Sequence, residues 1–236
     1  MSPTGTYLRD PDHGPLPGLL LALTVATGVV DAVSIISLGR VFVANMTGNI
    51  VFVGFALARA PGFSLAASLI ALAGFLIGAS VGGWAVGRYG AHRGRLLRNA
   101  TGIEFVSLGL AAGIAALAGS PLGTGARDAA VALAAIALGL QNAAVRKLAV
   151  PDLTTTVLTM TLTGIASELR GGNVIVALRR TLSVAAMLLG ALGGALLVLH
   201  ANVGIALAAA TGIVLVVLIG ATAASRTPAG WQHSKK

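Results

Sequence analysis

Apolar residues in this chain come in runs too long for a soluble fold, and clusters of polar residues separate them. The first run, Leu16 to Leu38, has Pro17 at its start and Asp31 and Ser34 inside it. Phe63 to Gly87, Gly102 to Gly119, Ala129 to Val145, Thr181 to Leu199 and Val203 to Ala224 follow. Each falls in or near the ~17–25 residues that cross a hydrocarbon core of about 30 Å. Between them lie a break at Arg59, Pro61 and Gly62, a basic loop holding Arg88, His92, Arg93, Arg95 and Arg98, and a Pro/Gly-rich loop from Ser120 to Asp128. The pattern predicts six transmembrane helices.

Two stretches fit neither a lipid-facing helix nor a solvated loop. Arg40 to Gly54 reads RVFVANMTGNIVFVG and continues apolar to about Ala58. Asn45, Thr47, Gly48 and Asn49 sit there among β-branched residues, a poor composition for a helix. Asp152 to about Ser167 carries Thr154, Thr155, Thr156, Thr159, Thr161 and Thr163 and is closed by Glu168 and Arg170. Irregular backbone at membrane depth survives only inside protein or beside a water-filled cavity. Both stretches are therefore expected to be re-entrant or broken segments.

Composition fixes the class and charge fixes the topology. The chain is 56% hydrophobic and 10% charged, with a mean hydropathy of +0.91, which leaves no soluble domain of useful size. The net charge of +9 reports membrane orientation before it suggests nucleic acid. If both odd stretches cross, nine Lys/Arg lie inside and seven outside, which is no bias. If both re-enter, thirteen of the sixteen lie inside and only Arg40, Arg59 and Arg127 outside. The positive-inside rule selects the second arrangement, with both termini expected in the cytoplasm. Residues 1–14 show no cleavable signal, so the first membrane helix is expected to direct insertion.

The halves repeat. A shift of about 112 residues lays Gly74, Gly78 and Gly82 on Ala186, Gly190 and Gly194, Thr47 on Thr159, and Asn49 on Thr161. One residue less lays Gly28 on Gly139 and Asp31 on Asn142. With three crossings per half, the copies insert in opposite orientations. The expected fold is thus an all-α membrane protein: six transmembrane helices plus two re-entrant or broken segments, as two inverted-topology repeats. Residues 1–16 form a polar tail, 17–119 the first repeat, 127–224 the second, and 225–236 a basic cytoplasmic tail.

Asp31 is the only acid deep inside a long apolar span, and ionisable groups at such depth are costly and often functional. It is a candidate proton or cation site, or else an anchor for the neighbouring loop. Asn45, Thr47, Gly48 and Asn49 place amides and hydroxyls beside a helix break, where free N–H groups attract anions and free carbonyls attract cations. Ser34, Gln141, Asn142, Thr155 and Thr159 complete the candidate solute-binding set. The small-residue ladders Gly74–Gly78–Gly82–Gly83 and Ala186–Gly190–Gly193–Gly194 suit close packing of the two halves, or of two subunits in a homodimer. Glu104 is expected to pair with an arginine of the 88–98 loop, with a relay role as the alternative. That basic loop also suits anionic lipid headgroups. The chain has no Cys and only four scattered His, so neither a metal nor another cofactor is expected. No nucleophile–base pair, metalloprotease motif or phosphate loop is present, so an enzyme is not expected.

Gly28-Val-Val-Asp31-Ala, followed by Gly39-Arg-Val-Phe-Val-Ala-Asn-Met-Thr-Gly-Asn49, resembles the YoaK family of small bacterial membrane proteins, a domain of unknown function. The similarity runs from about Gly18 to Ala224. A Thr-Gly pair is usual in the second half of such proteins; here Thr159 precedes Met160, and Thr163-Gly164 stands four residues on. The resemblance implies a six-span inner-membrane protein and names no substrate. The residues themselves point to a small secondary transporter or permease for a small polar solute, with Asp31 the group that would bind a coupling proton. A passive channel and a non-transporting scaffold or partner subunit are the alternatives.

Overall fold

The computed structural model describes residues 12–151, 153, 155–156, 158–168, 174–226 and 229–233. Arg9, Asp152, Thr154, Arg170, Lys235 and Lys236, which enter the expectations above, lie outside the described residues. Eight α-helices follow one another: α1 (Leu16–Ser37), α2 (Met46–Leu57), α3 (Leu65–Tyr89), α4 (Arg93–Ala118), α5 (Thr124–Leu148), α6 (Leu158–Glu168), α7 (Val174–His200) and α8 (Val203–Arg226). A 3-10 turn, Gly230–Gln232, comes after them. Six helices (α1, α3, α4, α5, α7 and α8) are long and apolar enough to cross a membrane. At 12 and 11 residues, α2 and α6 are not: at ~1.5 Å per residue each covers little more than half of a ~30 Å core.

The six spans are where hydropathy put them, but several run further. α4 begins at Arg93 rather than near Gly102, so Arg93, Arg95 and Arg98 are helical and not part of a loop. His92 caps this start, its Nδ1 accepting from the Arg95 backbone N–H at 3.2 Å. Charged residues end a membrane span, but they do not end a helix that continues into water. α7 likewise starts at Val174, ahead of Thr181. The stretch from Arg40 to Gly54 divides in two. Residues 38–45 are non-helical, and a helix starts at Met46 in spite of its poor propensity. Packing against α3 and a stack of Phe42, Phe52, Phe55 and Phe63 hold it there.

The helices pack as pairs. α1 crosses α7, with Gly28 against the Met187 carbonyl, Gly190 against the Val25 carbonyl and Gly194 against Val29. α3 crosses α5 in the same manner: Gly74 meets Ala132, Gly78 meets Ile136, Gly82 meets Leu140 and Gly139 meets Phe75. In both crossings the residue numbers rise together, so each pair runs parallel. Any side chain at these glycines would hold the backbones apart. The two ladders therefore join the first half of the chain to the second. Gly83 and Gly193, expected to belong to them, face open space. α4 and α8 close the bundle against each other and against α5 and α1. Leu76, Ile77, Leu117, Leu188, Leu189 and Val216 are exposed, as an outer surface solvated by lipid requires.

One end of the bundle gathers the start of α1, the α3–α4 turn, the end of α5 and residues 229–233. Arg93 binds there, donating to the Asp12 carbonyl at 3.2 Å and the Leu148 carbonyl at 2.5 Å. His233 pairs with His92, ring centroids 5.7 Å apart. At the other end Arg40 packs on Gly62, and Gly39 lies beside Arg127. The residues flanking α2 thus adjoin each other at a single end.

Candidate functional site

Sequence dictates the site through one side chain. Asp31 projects from α1 toward the non-helical segment 38–45, where backbone N–H groups lack helical partners. Its Oδ1 accepts from Val43 N at 3.2 Å and Ala44 N at 3.3 Å. Charge-assisted bonds of this kind are stronger than neutral ones. They draw the segment back along α1 to the level of Asp31, about a turn and a half below the helix end. α2 therefore starts at depth. Asn49 secures its first turn: Oδ1 accepts from Phe42 N at 2.9 Å and Nδ2 donates to the Phe42 carbonyl at 2.6 Å.

The second short helix is held in an equivalent way. Asn142 on α5 donates through Nδ2 to Thr156 Oγ1 at 3.0 Å. Gln141 beside it donates to Thr155 Oγ1 at 2.8 Å and Thr27 Oγ1 at 3.1 Å. The turn before α6 is thereby tied to α5 and α1.

The starts of α2 and α6 meet across a cleft of about 730 Å³. Asp31, Asn45, Met46, Thr47 and Gly48 line it from the first half, and Asn142, Thr156, Leu158 and Thr159 from the second. Phe42, Ala44, Val51, Phe75 and Met187 supply its apolar wall. Asp31 is 8% exposed. Its Oδ2 makes no hydrogen bond among the described residues and is left to the cleft. A second cleft of about 620 Å³ shares Phe75 and Asn142 with the first and reaches Arg146 and Lys147 at the basic end.

Six of the ten residues singled out from sequence line the cleft: Asp31, Asn45, Thr47, Gly48, Asn142 and Thr159. The other four do not. Ser34 donates to the Asp31 carbonyl, and Asn49, Gln141 and Thr155 are spent in the bonds just described. All four are buried. They set the position of the site without lining it. Thr156, one of the threonines of the second odd stretch, lines the cleft as well, and Phe75 and Met187 were missed. The last two carried no signal, because apolar residues attract no notice in an apolar chain.

Glu104 overturns its expectation. It lies buried in α4, and among the described residues neither carboxyl oxygen is hydrogen-bonded and no arginine pairs with it. Arg98, a turn and a half away on the same helix, binds Asn99 instead. Among the described residues no group of His and acids could hold a metal ion.

Six apolar spans, with two short helices that start at a shared polar cleft, define a multi-pass integral membrane protein. The chain belongs to the family described as protein of unknown function (DUF1275), whose model matches residues 19–220. It is similar to the UPF0700 transmembrane protein YoaK of Bacillus subtilis (strain 168), 32% identical over 158 residues that cover 65% of this chain and 67% of that protein. No solved structure matches it.

Proposed function

We propose that the chain is a small secondary transporter or permease for a small polar solute, built from two inverted-topology repeats in a bacterial plasma membrane. The cleft carries this reading. Two helices too short to cross begin at a common cleft, and polar side chains from both halves line it. Interrupted helices whose ends point at a central site are the usual way secondary transporters bind solutes.

The repeat draws support from correspondences of bounds and contacts. Shifted by 112, Met46–Leu57 becomes 158–169 beside Leu158–Glu168, and Leu65–Tyr89 becomes 177–201 beside Val174–His200. Asp31 holds Ala44 while Asn142 holds Thr156, and 44 + 112 = 156. The α1–α7 and α3–α5 crossings correspond at three glycines each, Gly28, Gly190 and Gly194 against Gly139, Gly78 and Gly82, while Gly74 stands against Ala186. Arg40 against Gly62 favours an α2 that enters and leaves on one side. The second cleft, running from Asn142 to the basic end, offers a path for solute to one face.

Asp31 is then the group at which a coupling proton enters. The test is uptake by proteoliposomes of a panel of small polar solutes. At least one solute should enter faster than into protein-free vesicles, and Thr47→Trp or Thr159→Trp should return it to background by filling the cleft. Folded protein that moves no solute of the panel overturns the reading. Flux that never saturates and shows no coupling points to a passive channel.

A further inference from the structure

The cleft combines charges of opposite sign, and their balance restricts what it can hold. Asp31 is the one charged side chain among the described lining residues. With Oδ1 engaged by Val43 and Ala44, its Oδ2 faces the cleft as a free acceptor. Opposite stand the starts of two helices of 12 and 11 residues. The first turn of a helix leaves N–H groups without intrahelical partners, and each start carries about +0.5 elementary charge. Asn45 gives α2 no side-chain cap that would consume those groups. Two starts sum to about +1, which one carboxylate offsets.

We infer that the site takes a cargo of no net charge: a small neutral or zwitterionic solute that donates hydrogen bonds to Asp31 and accepts them from the starts of α2 and α6. This deepens the transporter reading and rests on it. The remaining groups suit such a cargo. Asn142 commits Nδ2 to Thr156, which leaves its Oδ1 as a second acceptor beside Asp31. Thr47 and Thr159 offer hydroxyls that serve either way. A lone cation would meet two positive helix starts, and a lone anion would meet the carboxylate. An uncompensated charge in such a desolvated place costs more than the ~1.4 kcal/mol that makes a tenfold preference.

The inference predicts the outcome of one charge change. Asp31→Asn keeps an oxygen for the Val43 and Ala44 N–H groups and removes the negative charge. The site becomes positive and should accept a monoanion. The experiment is uptake by proteoliposomes of three planar probes of similar size, urea (neutral), guanidinium (cationic) and nitrate (anionic), with glycine as a zwitterion. In the wild type urea or glycine should enter at least about tenfold faster than guanidinium or nitrate. In Asp31→Asn nitrate should gain at least about tenfold over its wild-type rate. A charged probe entering the wild type as fast as the neutral ones overturns the inference and leaves the transporter reading standing. So does an Asp31→Asn protein that folds and keeps the wild-type order. No uptake of any probe overturns the transporter reading itself. Should Asp31→Asn fail to fold, the wild-type order alone decides.

Discussion

Two oxygens of one side chain divide two tasks at Asp31, one holding the loop before α2 and the other facing the cleft. His92 shows a comparable division at the basic end. Its Nδ1 accepts from Arg95 N and can do so only while unprotonated. Burial, and next the charge of Arg95, hold the imidazole below its usual 6.5, with His233 and Arg98 acting the same way. A lowered histidine pKa means the folded chain prefers the neutral form. The contribution is present above pH 6.5 and is lost as pH falls below it. Acidification should therefore loosen the first turn of α4 and the contact with residues 229–233. Hydrogen-exchange protection of Arg95 and Trp231 measured from pH 7.5 to pH 5 checks this, on the order of the range over which histidine titrates. His92→Asn keeps a good cap and should remove the pH response; identical profiles for the two proteins would refute it. At this scale the sequence was legible for Asp31 and Asn142, because a carboxylate and an amide inside apolar spans stand out. It was not legible for Gln141, Thr155 and Asn49. Whether a polar side chain faces a cavity or a buried partner depends on residues far away in the chain, such as Thr27, which lies 114 positions from Gln141.

Helix crossings give the next scale, and their glycines are unequal. A Cβ on Gly78 would overlap the Ile136 carbonyl, and one on Gly190 the Val25 carbonyl. These are backbone atoms of a neighbouring helix and cannot swing aside. Gly78→Ala and Gly190→Ala should each destabilise by about 1–3 kcal/mol, the usual cost of overpacking. Gly83→Ala and Gly193→Ala meet open space and should be neutral or slightly stabilising, since alanine is the better helix former. Thermal melts of the four variants in one detergent check the contrast; equal losses at Gly78 and Gly83 would contradict the packing described. Small-residue spacing announced these crossings in the sequence, but it could not say which glycine of a neighbouring pair faces the partner. Element ends were legible only where a helix stops at the membrane surface. α4 goes on for about two turns beyond its apolar run, because backbone hydrogen bonds and the His92 cap are indifferent to hydropathy.

Over the whole molecule the basic residues sort by end. Arg88, Arg93, Arg95, Arg98, Arg146, Lys147, Arg179, Arg180 and Arg226 fall at the end where α1 starts, and Arg40, Arg59 and Arg127 at the other. Charge counting anticipated this arrangement because orientation depends on where charges lie along the chain and not on how helices pack. By the positive-inside rule the richer end is expected to face the cytoplasm. The same assignment makes α2 a re-entrant helix, and the two statements stand or fall on one labelling experiment. The chain has no cysteine, so a single introduced one is unique. Arg40→Cys and Arg59→Cys bracket α2, and Arg226→Cys marks the basic end. With a membrane-impermeant maleimide applied to cells, the first two should label from outside and the third only after the membrane is opened. If α2 instead crossed, positions 40 and 59 would label from opposite faces, every later span would reverse, and the nine basic residues, all of which follow α2, would lie outside with Arg226→Cys labelled from there. The contact of Arg40 with Gly62 favours labelling of positions 40 and 59 from one face, because residues on the two sides of a ~30 Å core cannot touch.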